Sequence, residues 1–184
     1  MFTKQLITSL KERLNEKGRL IKTTPEGLNI EVVCSFEEPA TPEEIIQAEK
    51  DLEMKFPDDY KEFLLLHNGA SLFSRIEEDG EEGGGELWLF TIEEIKEAIE
   101  DYNIEKGTFL PIGSVFDQSL AISSEPLKKG SLNYLGIAEI VDDYESINLN
   151  FELFISRFIT TSGENFWEWD SWTADDYYEE DEGY

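Results

Sequence analysis

Apolar positions along the chain switch between two periods. Leu6, Ile7, Leu10 and Leu14 recur at helical spacing ahead of Gly18, predicting an amphipathic helix over residues 3–17 with a glycine stop. Residues 19–24 and 28–36 then read as a hairpin around Pro25-Glu26-Gly27, with Leu28, Ile30, Val32, Cys34 and Phe36 alternating as in a half-buried strand. Thr41, Pro42 and Glu44 form a capping box ahead of a helix lined by Ile45, Ala48 and Leu52. Pro57 breaks that helix and opens another, with Tyr60, Phe63 and Leu64 on one face and Asn68-Gly69 as a left-handed stop. A strand over 86–90 leads into a second capping box, Thr91 with Glu94, and a helix carrying Ile92, Ile95, Ile99 and Tyr102. Short strands are predicted over 109–116, 119–123, 131–135 and 137–141, and Phe151, Phe154, Ile155, Phe158 and Ile159 mark a core-facing helix.

Connections between these strands are too short for parallel crossovers, so the expected class is α+β, a mainly antiparallel sheet with flanking helices. The 184 residues suit a single domain over 1–162, with residues 163–184 as a separate acidic tail. Charge is the unusual quantity: 42 acidic against 15 basic residues give a net charge of -27. Six of the basic residues lie within residues 1–24, leaving 40 acidic and nine basic residues in the remainder. Such a polyanion is repelled by phosphate backbones and anionic lipid, which argues against direct nucleic-acid or membrane binding and favours a basic protein partner. With one cysteine, no secretory leader and no long apolar run, the sequence predicts a soluble cytoplasmic protein without an intramolecular disulfide.

Candidate chemistry is sparse. His67, the lone histidine, ends an apolar helix, where a cap or packing role outweighs catalysis or metal binding. Cys34 alternates with buried positions and lacks a basic neighbour to activate it. Carboxylate pairs such as Asp58-Asp59 and Asp142-Asp143 recur too widely to mark an acid/base site. Asp79, Glu81 and Glu82 among glycines offer calcium-type ligands without regular EF-hand spacing. No cofactor is expected, and nothing points to an enzyme.

The stretch TPEEIIQAEKDLEMKFPDDYKEFLLLHNG at 41–69, followed by a variable loop, a helix, FLPIG and NFELFISRFI, resembles the SMI1/KNR4 superfamily, also called SUKH, over about residues 41–160. The resemblance rests on Pro57, Tyr60, Phe63, Leu64, Asn68 and Gly69, with Pro111-Ile112-Gly113 downstream. It implies a binding module. Bacterial members are mostly immunity proteins of polymorphic and contact-dependent toxin systems, whose toxins include many nucleases, while fungal members are regulatory hubs of cell-wall synthesis. An immunity protein is the leading expectation and a regulatory scaffold the alternative. A nuclease has a cationic substrate cleft, so the expected contact surface combines the loop carboxylates Glu77, Glu78, Asp79, Glu81 and Glu82 with Trp167, Trp169, Trp172, Asp175 and Asp176 of the tail. The competing reading gives those groups to solubility and the rings to the core.

Overall fold

The computed structural model describes residues 2–24, 27–76, 83, 86–138 and 144–171. Its centre is an eight-stranded sheet in which every strand pairs antiparallel with its neighbour in the chain. The strands are β1 (Arg19–Thr23), β2 (Asn29–Phe36), β3 (Ala70–Arg75), β4 (Leu87–Leu89), β5 (Phe109–Val115), β6 (Gln118–Ser123), β7 (Leu135–Ala138) and β8 (Glu145–Leu149). The helices are α1 (Phe2–Arg13), α2 (Pro42–Asp51), α3 (Asp58–Leu64), α4 (Ile92–Asp101), α5 (Ser124–Lys128) and α6 (Phe151–Thr160), with a 3-10 helix at Phe166–Ser171. This is the expected α+β class.

Register sorts the sheet into two faces. Leu72, Leu87 and Val115 share one row, and Leu110, Ile122, Leu135 and Leu149 share another. All seven are buried. Aromatic rings join this layer to the helices: Phe158 of α6 lies 5.8 Å from Phe73, and Phe151 lies 5.1 Å from Tyr60 and 5.2 Å from Phe63 of α3. Helix α1 closes the cluster through Ile7 and Leu10, packing on α3 and α6.

Both capping boxes form: Glu44 N–H donates to Thr41 Oγ1 at 3.2 Å and Glu94 N–H to Thr91 Oγ1 at 3.1 Å, and each glutamate carboxylate accepts in return. Helix α6 is capped by three side chains. Phe151 N–H donates to the Tyr134 hydroxyl (3.1 Å), Glu152 N–H to Asp59 Oδ2 (3.0 Å) and Leu153 N–H to Asn150 Oδ1 (2.9 Å). The Tyr134 hydroxyl donates to Asp59 in turn. Three otherwise orphaned helix donors are thereby satisfied from α3, the turn before β7 and the turn before α6.

Several boundaries differ from the sequence reading. Helix α1 stops at Arg13 because Asn15 Oδ1 accepts from Lys17 and Arg19 N–H (2.8 and 3.0 Å), offering the backbone a turn instead. Alternation in β2 breaks at a bulge between Val33 and Ser35, so Val32, Val33 and Cys34 are all buried while Leu28 is exposed. Tyr102 caps α4 and faces solvent rather than the core. The two strands predicted over 131–141 reduce to β7, with 139–141 outside the described residues, and β3, α5, β8 and the 3-10 helix were not foreseen. Asn68-Gly69 is not a helix stop: α3 ends at Leu64, Asn68 Oδ1 accepts from Ile92 N–H at 3.0 Å, and a Cβ on Gly69 would lie 3.1 Å from Leu89 O and from Thr91 Cγ2. That motif seats the start of α4 instead.

Candidate functional site

The expected anionic surface has two sources in sequence, the loop after β3 and the segment after α6, and the described residues root both at one corner of the sheet. Glu86 enters β4 with its carboxylate 3.3 Å from Arg75 Nε at the end of β3, and Phe116 N–H in the β5–β6 turn donates to Glu86 O at 3.2 Å. Lys22 of β1 is only 5% exposed and lies between two acids, with Nζ 3.8 Å from Glu86 Oε1 and 3.4 Å from Glu164 Oε1. One buried ammonium thus ties the root of the acidic loop to the root of the C-terminal segment.

Just beyond Glu164, Phe166 and Trp167 pack back onto the core. Phe166 is buried 5.8 Å from Phe154, and Trp167 is half-buried with its ring 5.7 Å from Phe154, 5.9 Å from Phe116 and 5.1 Å from Phe166. Trp169 projects from the 3-10 helix at 58% exposure. Of the expected contact residues, only these two tryptophans are described; Glu77, Glu78, Asp79, Glu81, Glu82, Trp172, Asp175 and Asp176 lie outside the described residues.

An open hollow of about 410 Å³ separates the β5–β6 turn from the 3-10 helix, lined by Phe116, Asp117, Gln118, Asn165 and Glu168. The turn is two residues long, and both adopt left-handed backbone, Phe116 at φ 47° and Asp117 at φ 63°. Such turns normally take Asn or Gly, so Phe116 is strained, and its ring contacts with Trp167 and Phe158 hold it there. The lining presents carboxylate and amide oxygens, which can accept hydrogen bonds from a cationic side chain.

The remaining reactive groups are structural. His67 Nδ1–H donates to Glu37 O at 2.8 Å and Nε2 accepts from Lys11 Nζ at 2.8 Å, a tautomer fixed because the carbonyl can only accept and the ammonium only donate. Phe36 lies under both, 4.9 Å from the His67 ring and 4.5 Å from Lys11 Nζ. Burial, with a smaller contribution from Lys11, lowers the His67 pKa. Cys34 is buried, which raises its thiol pKa and leaves it unreactive. Buried Glu49 remains ionised: burial opposes the charge, but Lys55 (2.6 Å), Phe56 N–H (2.9 Å) and Lys61 (4.0 Å) outweigh it and hold the carboxyl below its ordinary range. Among the described residues no group of three or more His, Cys, Asp or Glu side chains is placed to hold a metal ion, and no helix is long and apolar enough to cross a membrane.

Sequence reasoning missed Trp88. Leu87 and Leu89 on either side of it are buried, so the strand period alone puts Trp88 on the other face, where it is 49% exposed.

Comparison with known proteins agrees with this architecture. The model of the SMI1/KNR4 family (SUKH-1) matches residues 39–157. YobM, an uncharacterized protein of Bacillus subtilis (strain 168), is 38% identical over 180 residues, covering 96% of this chain and 97% of its own. YnaB of the same organism, also uncharacterized, is 37% identical over 136 residues, covering 72% of this chain and 85% of its own. The family match begins after β2, yet α1, β1 and β2 share the core and the sheet, and the similarity to YobM spans nearly the whole chain. With the matched region extending from the turn before α2 to the middle of α6, the chain belongs to the SMI1/KNR4 (SUKH-1) family.

Proposed function

We propose that this protein is a cytoplasmic immunity protein that neutralises a cognate polymorphic or contact-dependent toxin, a basic nuclease, by direct binding and without chemistry of its own. Membership of the SUKH-1 family supports an immunity-protein-like role. The observation that carries the finer reading is the Lys22 bridge: by joining Glu86 to Glu164 it roots the carboxylate loop and the acidic, tryptophan-bearing C-terminal segment at the same corner. The many carboxylates of residues 77–86 and of the C-terminal segment accelerate encounter with a cationic nuclease cleft, and exposed rings such as Trp169 supply the apolar contact that slows dissociation.

Co-expression with the product of the adjacent gene, expected to be a toxin, tests the reading. Growth rescue together with recovery of a stable pair is the expected result. Recovery of neither contradicts it, and a stable pair with a cellular protein unconnected to any toxin supports a regulatory scaffold instead.

A further inference from the structure

The outer face of the sheet carries a row of side chains that none of the preceding roles uses. Ser35 pairs with Ser71, Ser71 with Trp88, Trp88 with Ser114, Ser114 with Ser119 and Ser119 with Ala138. One row therefore crosses six strands, on the face opposite buried Leu72, Leu87 and Val115. In a chain that is 31% charged, this row contains no charged residue. Trp88 stands among serines, supported on one side by Phe90, whose ring meets it edge-on at 5.3 Å. Its small neighbours leave the indole proud of the surface rather than bedded in it.

At the β7 end, the rings of Phe109 and Tyr144 lie 5.0 Å apart and wall a small apolar hollow of about 20 Å³. Tyr144 is fixed there: its hydroxyl donates to Tyr134 O at 3.1 Å, and its ring lies so close over Gly136 that any Cβ would collide with it. The strip thus has an end wall under which Ala138 is buried, an exposed aromatic near its middle, and a floor of partly exposed serines.

Two features set this strip apart from the rest of a polyanion's surface and suit an interface centre: an exposed tryptophan, a residue enriched among binding anchors, and the absence of charge around it; the serines supply small, neutral surroundings rather than binding energy. The occupant follows from charge. A second copy would bring another formal charge of -27 against the same face. A cationic partner meets no such barrier. Exposed Glu37 and Glu38 directly follow β2, so basic residues around an apolar anchor find counter-charges while the neutral strip leaves no buried charge unpaired. We infer that the Trp88 strip is the apolar centre of the partner interface, occupied by an aromatic or aliphatic side chain that its protein partner presents within a ring of lysine and arginine. This rests on the partner-binding reading above and gives it an anchor apart from the acidic corner.

A phage-displayed library of random twelve-residue peptides, selected on the full-length protein at low salt, tests it without the toxin. The expected winners carry an apolar residue flanked by lysine or arginine. They weaken by about tenfold or more on Trp88→Ala and on Ser114→Lys, and bind Leu153→Ala, which removes an exposed apolar side chain of α6, unchanged. The two strip variants differ in kind, one deleting the ring and the other adding a repelling charge beside it, and thermal melts identify any that fails to fold. Winners indifferent to both variants, or no enrichment of this class, overturn the inference. So does self-association of the protein that Trp88→Ala abolishes, which assigns the strip to a second copy. Failure here leaves the toxin co-expression test standing, and failure of that test leaves the peptide result standing.

Discussion

The Asp59 carboxylate accepts from the Tyr134 hydroxyl, from Glu152 N–H at 3.0 Å and from Tyr60 N–H at 3.0 Å, so a single side chain joins α3, the entry to β7 and the start of α6. Removing it leaves two first-turn helix donors, Glu152 N–H and Tyr60 N–H, and a largely buried hydroxyl without that acceptor. Asp59→Ala is expected to cost about 2–3 kcal/mol of unfolding free energy in urea titrations, and Asp59→Asn, which keeps one acceptor, roughly half of that. His67 gives a second residue-scale expectation. Its folded pKa lies below the ordinary 6.5 because burial penalises the charged ring. Between that lowered value and 6.5 the unfolded chain binds more protons than the folded one, so His67's contribution is complete above pH 6.5 and is lost as pH falls through the window. The hydrogen bond to the Glu37 carbonyl opposes the effect, neighbouring Lys11 adds to it, and Glu38 opposes it more weakly. Urea melts between pH 5 and 7.5 should show a shallower loss on acidification for His67→Gln than for the natural chain; identical slopes would remove the histidine from the account.

Elements were legible where their determinants are local. Thr41–Glu44 and Thr91–Glu94 lie three residues apart, and the α6 period is carried by five apolar residues within nine, so caps and helix could be read directly. β8 was not legible, because only Leu149 of its five residues is buried, and α5 holds Pro126 within five residues. The corner was illegible for a different reason: Lys22, Glu86 and Glu164 are far apart in sequence and meet only once the sheet is assembled. Replacing Lys22 by methionine tests its part in that corner. The change keeps the bulk of the stem but leaves two acids, one of them buried, without their shared cation, and about 2–4 kcal/mol of stability should be lost, discounted for the partial exposure of Glu164. Thermal melts will show it. A melting temperature within a degree of the natural chain's would mean that the bridge holds nothing together.

For the whole molecule, charge and shape divide the work. A formal charge of -27 acts at long range and is screened by salt, whereas exposed side chains such as Trp88 and Trp169 can act only at contact distance. Reversing Glu77, Glu78, Glu81 and Glu82 to lysine should therefore slow association with a basic toxin by about tenfold at low salt and flatten its salt dependence, with a smaller change in dissociation. Association rates that match the natural chain's would detach the loop from the encounter. The central claim is that this protein inhibits by occupying its target, and a titration of purified protein into a fixed amount of cognate toxin tests it most directly. Toxin activity should fall linearly to zero at a fixed molar ratio and return when the complex is separated, with the toxin's mass unchanged; inactivation by far less than a molar equivalent, or a toxin altered in mass, would contradict it.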